Sequence, residues 1–268
     1  MAFERSLPQE LATDESVAFR VGDDLAELWL NRPAKLNATS DEMVRAIDLA
    51  LVTIAERSPR ALVVGGVGRA FCAGRDLADA HPEDEDAEAI LANVYNPLIL
   101  RLAGLDVITV AAVHGAVLGT GLGFALACDF VIASRSSRWG SPFARIGAVL
   151  DSGGHYFFER LGHQRAMDLI LLGGLIDGSD AFKYGLASRV VDDEDFEEEV
   201  ERYVQRVAHG PTQAFLTSKR ILNRERLPAL AEVLAMEAEG QGGCARTLDY
   251  TTGIRSFLEH QEPRFEGL

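Results

Sequence analysis

Residues 107–128 carry no formal charge, and few folds can accommodate such a run. It is long enough to cross a bilayer as one helix. Against that, it holds four glycines and a histidine, and it is bounded by Asp106 and Asp129 rather than by basic anchors. Its pattern also divides. An apolar, β-branched run at 107–113 reads as a strand, 114–119 as a glycine turn, and 120–127 as a short helix. A buried strand–turn–helix in an α/β protein is the expectation, with no membrane partner.

Composition narrows the ligand. The 41 acidic residues outweigh 26 basic ones for a net charge of −15, a field that repels phosphate backbones and argues against nucleic acid. Any anionic small molecule needs a local basic group. The acidic runs at 83–86 and 192–201 lack the spacing of a calcium loop and read as solvated surface. Cys72, Cys128 and Cys244 are far apart, with no Cys-x-x-Cys and no histidine pair nearby. Neither a metal site nor a disulfide framework is expected; a reducing, cytoplasmic compartment is. Residues 1–10 contain no apolar core of a secretory signal.

Along the chain, 17–21 and 25–30 read as strands around Gly22-Asp23-Asp24, a hairpin signal. Ser40 is placed to cap a helix carrying Met43, Ile47, Leu51 and Ile54 on one face. Further strands are expected at 61–64, 130–133 and 188–191, with a helix through Ile90, Val94, Leu98 and Leu102. Short helices follow from about 155 to 184, where Gly185 makes a natural stop. From about 195 the pattern turns helical. Pro211 suits a first helical position, and Gly240, Gly242 and Gly243 loosen the last long segment.

Two glycine turns after strands carry the chemistry. One is Arg69-Ala70-Phe71-Cys72-Ala73-Gly74-Arg75-Asp76-Leu77, the other His114-Gly115-Ala116-Val117-Leu118-Gly119-Thr120-Gly121-Leu122-Gly123. Glycine lets backbone approach a ligand, and amides at a helix start point outward. A dinucleotide fingerprint fails, because Phe124 or Leu126 occupies the third glycine position in either frame. A hydrolase reading also fails: Asp151, Ser152 and His155 lie too close in sequence for a triad, and no G-x-S-x-G elbow exists.

Taken together, the first turn, and the run from Ala111 through Gly123 to Ala125-Leu126-Ala127-Cys128-Asp129, resemble the two signatures of the enoyl-CoA hydratase/isomerase (crotonase) family. Leu30-Asn31-Arg32-Pro33 with Leu36-Asn37-Ala38, Gly153-Gly154, and Gly185-Leu186-Ala187-Ser188-Arg189-Val190-Val191 match as well. The resemblance implies an α/β fold: a spiral of ββα units in a catalytic core (1–195) and a helical oligomerisation region (196–268), assembled as a homotrimer or hexamer. It implies an acyl-CoA thioester substrate, with coenzyme A as part of that substrate and no other cofactor. The backbone N–H groups of Arg75 and Thr120 would hold the thioester oxygen, and Ala73, Gly74, Asp76, Leu77, Gly119, Gly121 and Phe143 would contact substrate. Arg32, Arg75, Lys219 and Arg220 are the candidates for the CoA phosphates.

The glutamates of typical hydratases fall on Gly123 and Phe143, neither of which can move a proton. The Asp151-Ser152-Gly153-Gly154 element instead resembles the isomerase branch, including epoxide-type phenylacetyl-CoA isomerases. There Asp151 would be the acid/base, and its apolar neighbours should raise its pKa. Alternatively Asp151 only caps the helix starting near Gly153. Double-bond migration, hydration of a 2-enoyl-CoA, and CoA-ester binding without turnover are the readings to be separated.

Overall fold

A computed structural model describes residues 12–13, 16–78 and 85–268. Residues 1–10, Glu83 and Asp84 lie outside the described residues. The first strands alternate or bury as the pattern predicts: β1 (Ala12–Thr13), β2 (Val17–Val21) and β3 (Leu25–Leu30) form an antiparallel ribbon. Ser40 accepts a hydrogen bond from the Met43 amide and caps α1 (Asp41–Arg57), whose Met43, Ile47, Leu51 and Ile54 are buried. Next come β4 (Ala61–Gly66), α2 (Ala87–Ile90), a π-helical turn (Leu91–Tyr95) and α3 (Asn96–Gly104). The uncharged run resolves into β5 (Ile108–Val113), β6 (Ala116–Leu118) and α4 (Thr120–Ala127). Among the described residues no helix is long and apolar enough to cross a membrane.

The chain continues through β7 (Phe130–Ser134), β8 (Arg138–Gly140), α5 (Gly154–Phe158), α6 (His163–Leu172), β9 (Leu175–Asp177), α7 (Gly178–Lys183) and β10 (Arg189–Val191). Helices α8 (Phe196–Ala208), α9 (Thr212–Ala245) and α10 (Leu248–Leu258) complete it. The main sheet has the order β1-β2-β3-β4-β5-β7-β10, parallel from β3 onward; β6, β8 and β9 form a smaller one. Each turn of chain sends one strand to the main sheet, a short piece to the small one, then a helix. Cys72 joins the small sheet after β4 by bridging to Val117, as β6 follows β5 and β8 follows β7. That is a ββα spiral. The central β4 and β5 are buried throughout, as parallel strands covered on both faces must be.

Three features differ from the sequence expectation. The short β6, β8 and β9 span three residues each, too few to show an alternation. Pro211 sits at the N-cap of α9, just ahead of its first residue. Helix α9 also runs unbroken through Gly240, Gly242 and Gly243. A Cβ at Gly242 would lie 2.6 Å from a carboxylate oxygen of Glu88, so glycine there lets α9 pack closely on α2 rather than loosening it.

Candidate active site

The first turn is built from the left. Leu36 and Asn37 both adopt left-handed backbone, and buried Asn37 donates to the carbonyls of Ala70 (2.7 Å) and Val67 (2.9 Å). Ala73 N–H donates to Leu36 O, Thr39 N–H to Gly74 O at 2.8 Å, and Asp76 N–H to Thr39 O at 2.9 Å. These bonds clamp the residues on both sides of Arg75 and leave its own N–H without an acceptor among the described residues.

The second turn meets the first directly. Gly74 (φ +97°) and Gly119 (φ +52°) occupy backbone that side chains rarely adopt, and a Cβ on Gly119 would sit 3.5 Å from the Gly74 Cα. Gly119 is the N-cap of α4, so Thr120 opens the helix with an N–H that likewise has no acceptor among the described residues. Arg75, Thr120 and Asp151 line one cavity, with Leu77 and Phe143. Its other walls include Ala87, Ile90, Leu91 and Tyr95, Ile146, and Gln241, Tyr250 and Ile254 from the two last helices. Of the substrate contacts the resemblance implies, Leu77 and Phe143 face this cavity and Gly74, Gly119 and Gly121 shape the meeting turns. Ala73 and Asp76 instead tie the first turn to its supports, Asp76 through a 2.9 Å ion pair with Arg32.

Asp151 does not cap a helix. The N-cap of α5 is Gly153, which has no side-chain cap, and Asp151 Oδ1 accepts a 2.8 Å bond from Ser152 Oγ. Ser152 holds a left-handed conformation (φ +58°) while fully buried, a strained backbone of the kind found at functional sites. Burial pushes the Asp151 carboxyl up to about 7; Glu237 adds to the rise, while Ser152, Arg75 and His155 oppose it. The carboxyl is therefore poised to take and return a proton near neutrality. Ser152 is bonded to Asp151 and His155 Nδ1 to Glu237 (2.9 Å), so no serine–histidine relay forms. Cys72 and Cys128 are buried thiols raised to about 12 by burial and take no nucleophilic part.

The basic residues considered for phosphates are each engaged. Arg75 makes a bidentate pair with Glu85 at 3.0 and 2.9 Å, which shows that part of the acidic run folds inward instead of being solvated. Arg220 pairs with Asp106 at the surface. Lys219 is largely buried, with its ammonium on Asp129 (2.7 Å) and the Val107 carbonyl (2.8 Å), and it lines a separate cavity with Arg160, Arg206 and Arg226. Phe157, Phe158 and Trp139 belong to the core, and His114 is buried with Nε2 at 2.7 Å from Gly68 O. Sequence reasoning missed Tyr95, Glu237, Gln241, Tyr250 and Ile254.

Residues 20–268 match the family model described as enoyl-CoA hydratase/isomerase. The chain belongs to this family. A Rhodobacter capsulatus protein named "probable enoyl-CoA hydratase" is 35% identical over 253 residues, covering 94% of this chain and 98% of that one. The 1,2-epoxyphenylacetyl-CoA isomerase of Escherichia coli is 34% identical over 260 residues, covering 94% and 99%. Among solved structures, an enoyl-CoA hydratase from Mycobacterium avium subsp. paratuberculosis superposes with a TM-score of 0.85 at 28% identity, covering 94% and 98%. The chain is thus an enzyme of the enoyl-CoA hydratase/isomerase family that acts on acyl-CoA thioesters, with the crotonase fold.

Within this family the packing at Gly123 is informative. A Cβ there would lie 2.6 Å from both the Cβ and the carbonyl oxygen of Ser152. No glutamate fits at that position while the Asp151-Ser152 turn keeps its present place; the two arrangements exclude each other.

The raised Asp151 carboxyl has a consequence for stability. An unfolded aspartate titrates near about 3.9, whereas the folded one does so at about 7. Between those values the native state keeps a proton the unfolded chain has lost, so stability falls as pH rises through this window. Above it the full cost is present. Asn carries no such cost, so Asp151→Asn should stabilise the fold at pH 8 by on the order of a few kcal/mol, raising Tm, and be near neutral at pH 4. Thermal melts of both proteins at both pH values check this; equal differences at pH 4 and 8 would contradict a burial-raised carboxyl.

Proposed function

We propose that this enzyme moves a double bond along an enoyl-CoA. The Asp151 carboxylate takes a proton from C2 of a 3-enoyl-CoA, and the C–H electrons form a dienolate whose charge rests on the thioester oxygen. The amides of Arg75 and Thr120 hold that oxygen, each such donor contributing about 3 kcal/mol to the barrier. The protonated Asp151 then returns the proton to C4, leaving the 2-enoyl-CoA and the starting carboxylate. The observation that carries the reading is one cavity lined by Arg75, Thr120 and a single buried carboxyl poised near neutrality. The absence of room at Gly123 weighs against a two-glutamate hydratase, and the likeness to an isomerase of epoxyphenylacetyl-CoA supports the isomerase side.

A homotrimer or hexamer belongs to the same reading, supported by exposed Leu171, Leu172 and Leu175 around α6 and by Phe257 and Leu258 on α10. A cytoplasmic location rests on three free cysteines. The test is incubation with a 3-enoyl-CoA in D₂O. Deuterium beside the thioester or at C4 is the expected result. A hydroxylated product would assign hydration instead, and bound but unlabelled, unchanged substrate would make the protein a binder.

A further inference from the structure

We infer that Glu237, with Gln241 one turn further along α9, is the positioning pair that fixes the proton-carrying turn at Asp151. Glu237 is 3% exposed and spends both oxygens on that turn: Oε2 accepts from Gly153 N–H at 2.7 Å, and Oε1 from His155 N–H and Nδ1, each at 2.9 Å. Gln241 Oε1 accepts from Val149 N–H at 2.9 Å. One helix therefore grips the chain on both sides of Asp151, at 149 and at 153–155. The grip is needed there. Ser152 and Gly153 are successive left-handed residues ahead of a five-residue helix that has no side-chain cap of its own.

A merely structural cap could be neutral. Here it is a carboxylate buried close to a second carboxyl, an arrangement that opposes ionisation of Asp151. The groups facing Asp151 are Ser152 beside it, His155 on α5, Glu237 on α9, Arg75 from the first turn with Glu85 behind it, Tyr95 from the π turn and Tyr250 on α10. Arg75 and His155 favour the carboxylate, Glu237 disfavours it, and burial outweighs them all. Glu237 thus both places Asp151 and biases its proton.

This inference rests on Asp151 being the proton carrier, and the experiment separates the two. The kcat-versus-pH profile is measured for the full-length wild type, E237Q, E237D, Q241E and D151N. In E237Q the acid limb should move to lower pH by roughly half a unit or more, with kcat at its plateau down about tenfold and KM little changed. E237D keeps the charge and should leave the limb in place. Q241E can still accept from Val149 but adds charge at the cavity, so its limb should move to higher pH; its profile alone suffices as the test should E237Q fail to fold. An inactive D151N with unshifted limbs in E237Q and Q241E would overturn the inference while sparing Asp151. A D151N enzyme with normal turnover would overturn both.

Discussion

Replacing Asp151 with Asn should lower kcat for double-bond migration by about 10²–10⁴-fold, the usual range for a positioned acid/base. The affinity for a saturated acyl-CoA should stay within about twofold, because the amide keeps the shape of the carboxyl and the binding groups are elsewhere. The size of the effect follows from isolation. Among the carboxyl groups of the described residues, only that of Asp151 lines the cavity with the two free amides, so no neighbour can take over the proton. Asn Oδ1 can still accept from Ser152 Oγ, which keeps the turn intact. Single-turnover kinetics and competitive inhibition by the saturated thioester measure the two quantities. Near-normal turnover would remove Asp151 from the mechanism, whereas a matching loss of affinity would recast it as a binding group.

The second large effect concerns backbone. Adding one methyl at Gly121 should cost about 10²–10³-fold in kcat, equivalent to losing one oxyanion donor. The new Cβ would lie 2.5 Å from the Cys72 carbonyl oxygen and 2.6 Å from its Cβ. Those atoms sit just before Gly74 and Arg75, so relief of the clash pushes the two turns apart and the amides of residues 75 and 120 with them. The accompanying loss of stability should be about 1–3 kcal/mol, as for other overpacked sites. Gly174→Ala serves as the control, since a Cβ there meets nothing within 4 Å. Steady-state kinetics with thermal melts decide the matter. A Gly121→Ala enzyme that folds and turns over like the wild type would show that the spacing of these amides is immaterial.

Much of this architecture was legible because period and punctuation agreed. The hairpin at Gly22, the Ser40 cap and the glycine-marked division of the uncharged run are local signals, and each appears where its chemistry requires. Asp151 was singled out by the resemblance of its Asp-Ser-Gly-Gly element to the isomerase branch; the left-handed backbone of Ser152 and Gly153 was not foreseen. The C-terminal half of the site was not. Glu237 and Gln241 look like the solvated side of a helix, yet they fall on the stripe of Leu230, Leu234 and Ala238 that packs into the core. A carboxylate on an apolar stripe is the signal that would have found it. Lys219 entered as a phosphate candidate on its charge alone, and nothing in the sequence signalled that its ammonium pairs with Asp129 inside the fold.

The grip of α9 on the turn at 149–155, and the walls supplied by Gln241, Tyr250 and Ile254, have a temporal meaning. During synthesis the sheet, both glycine bends and Asp151 all emerge well before the segment that encloses them. A chain halted short of residue 237 would carry Arg75, Thr120 and Asp151 but lack Gln241, Tyr250 and Ile254 from the wall around them.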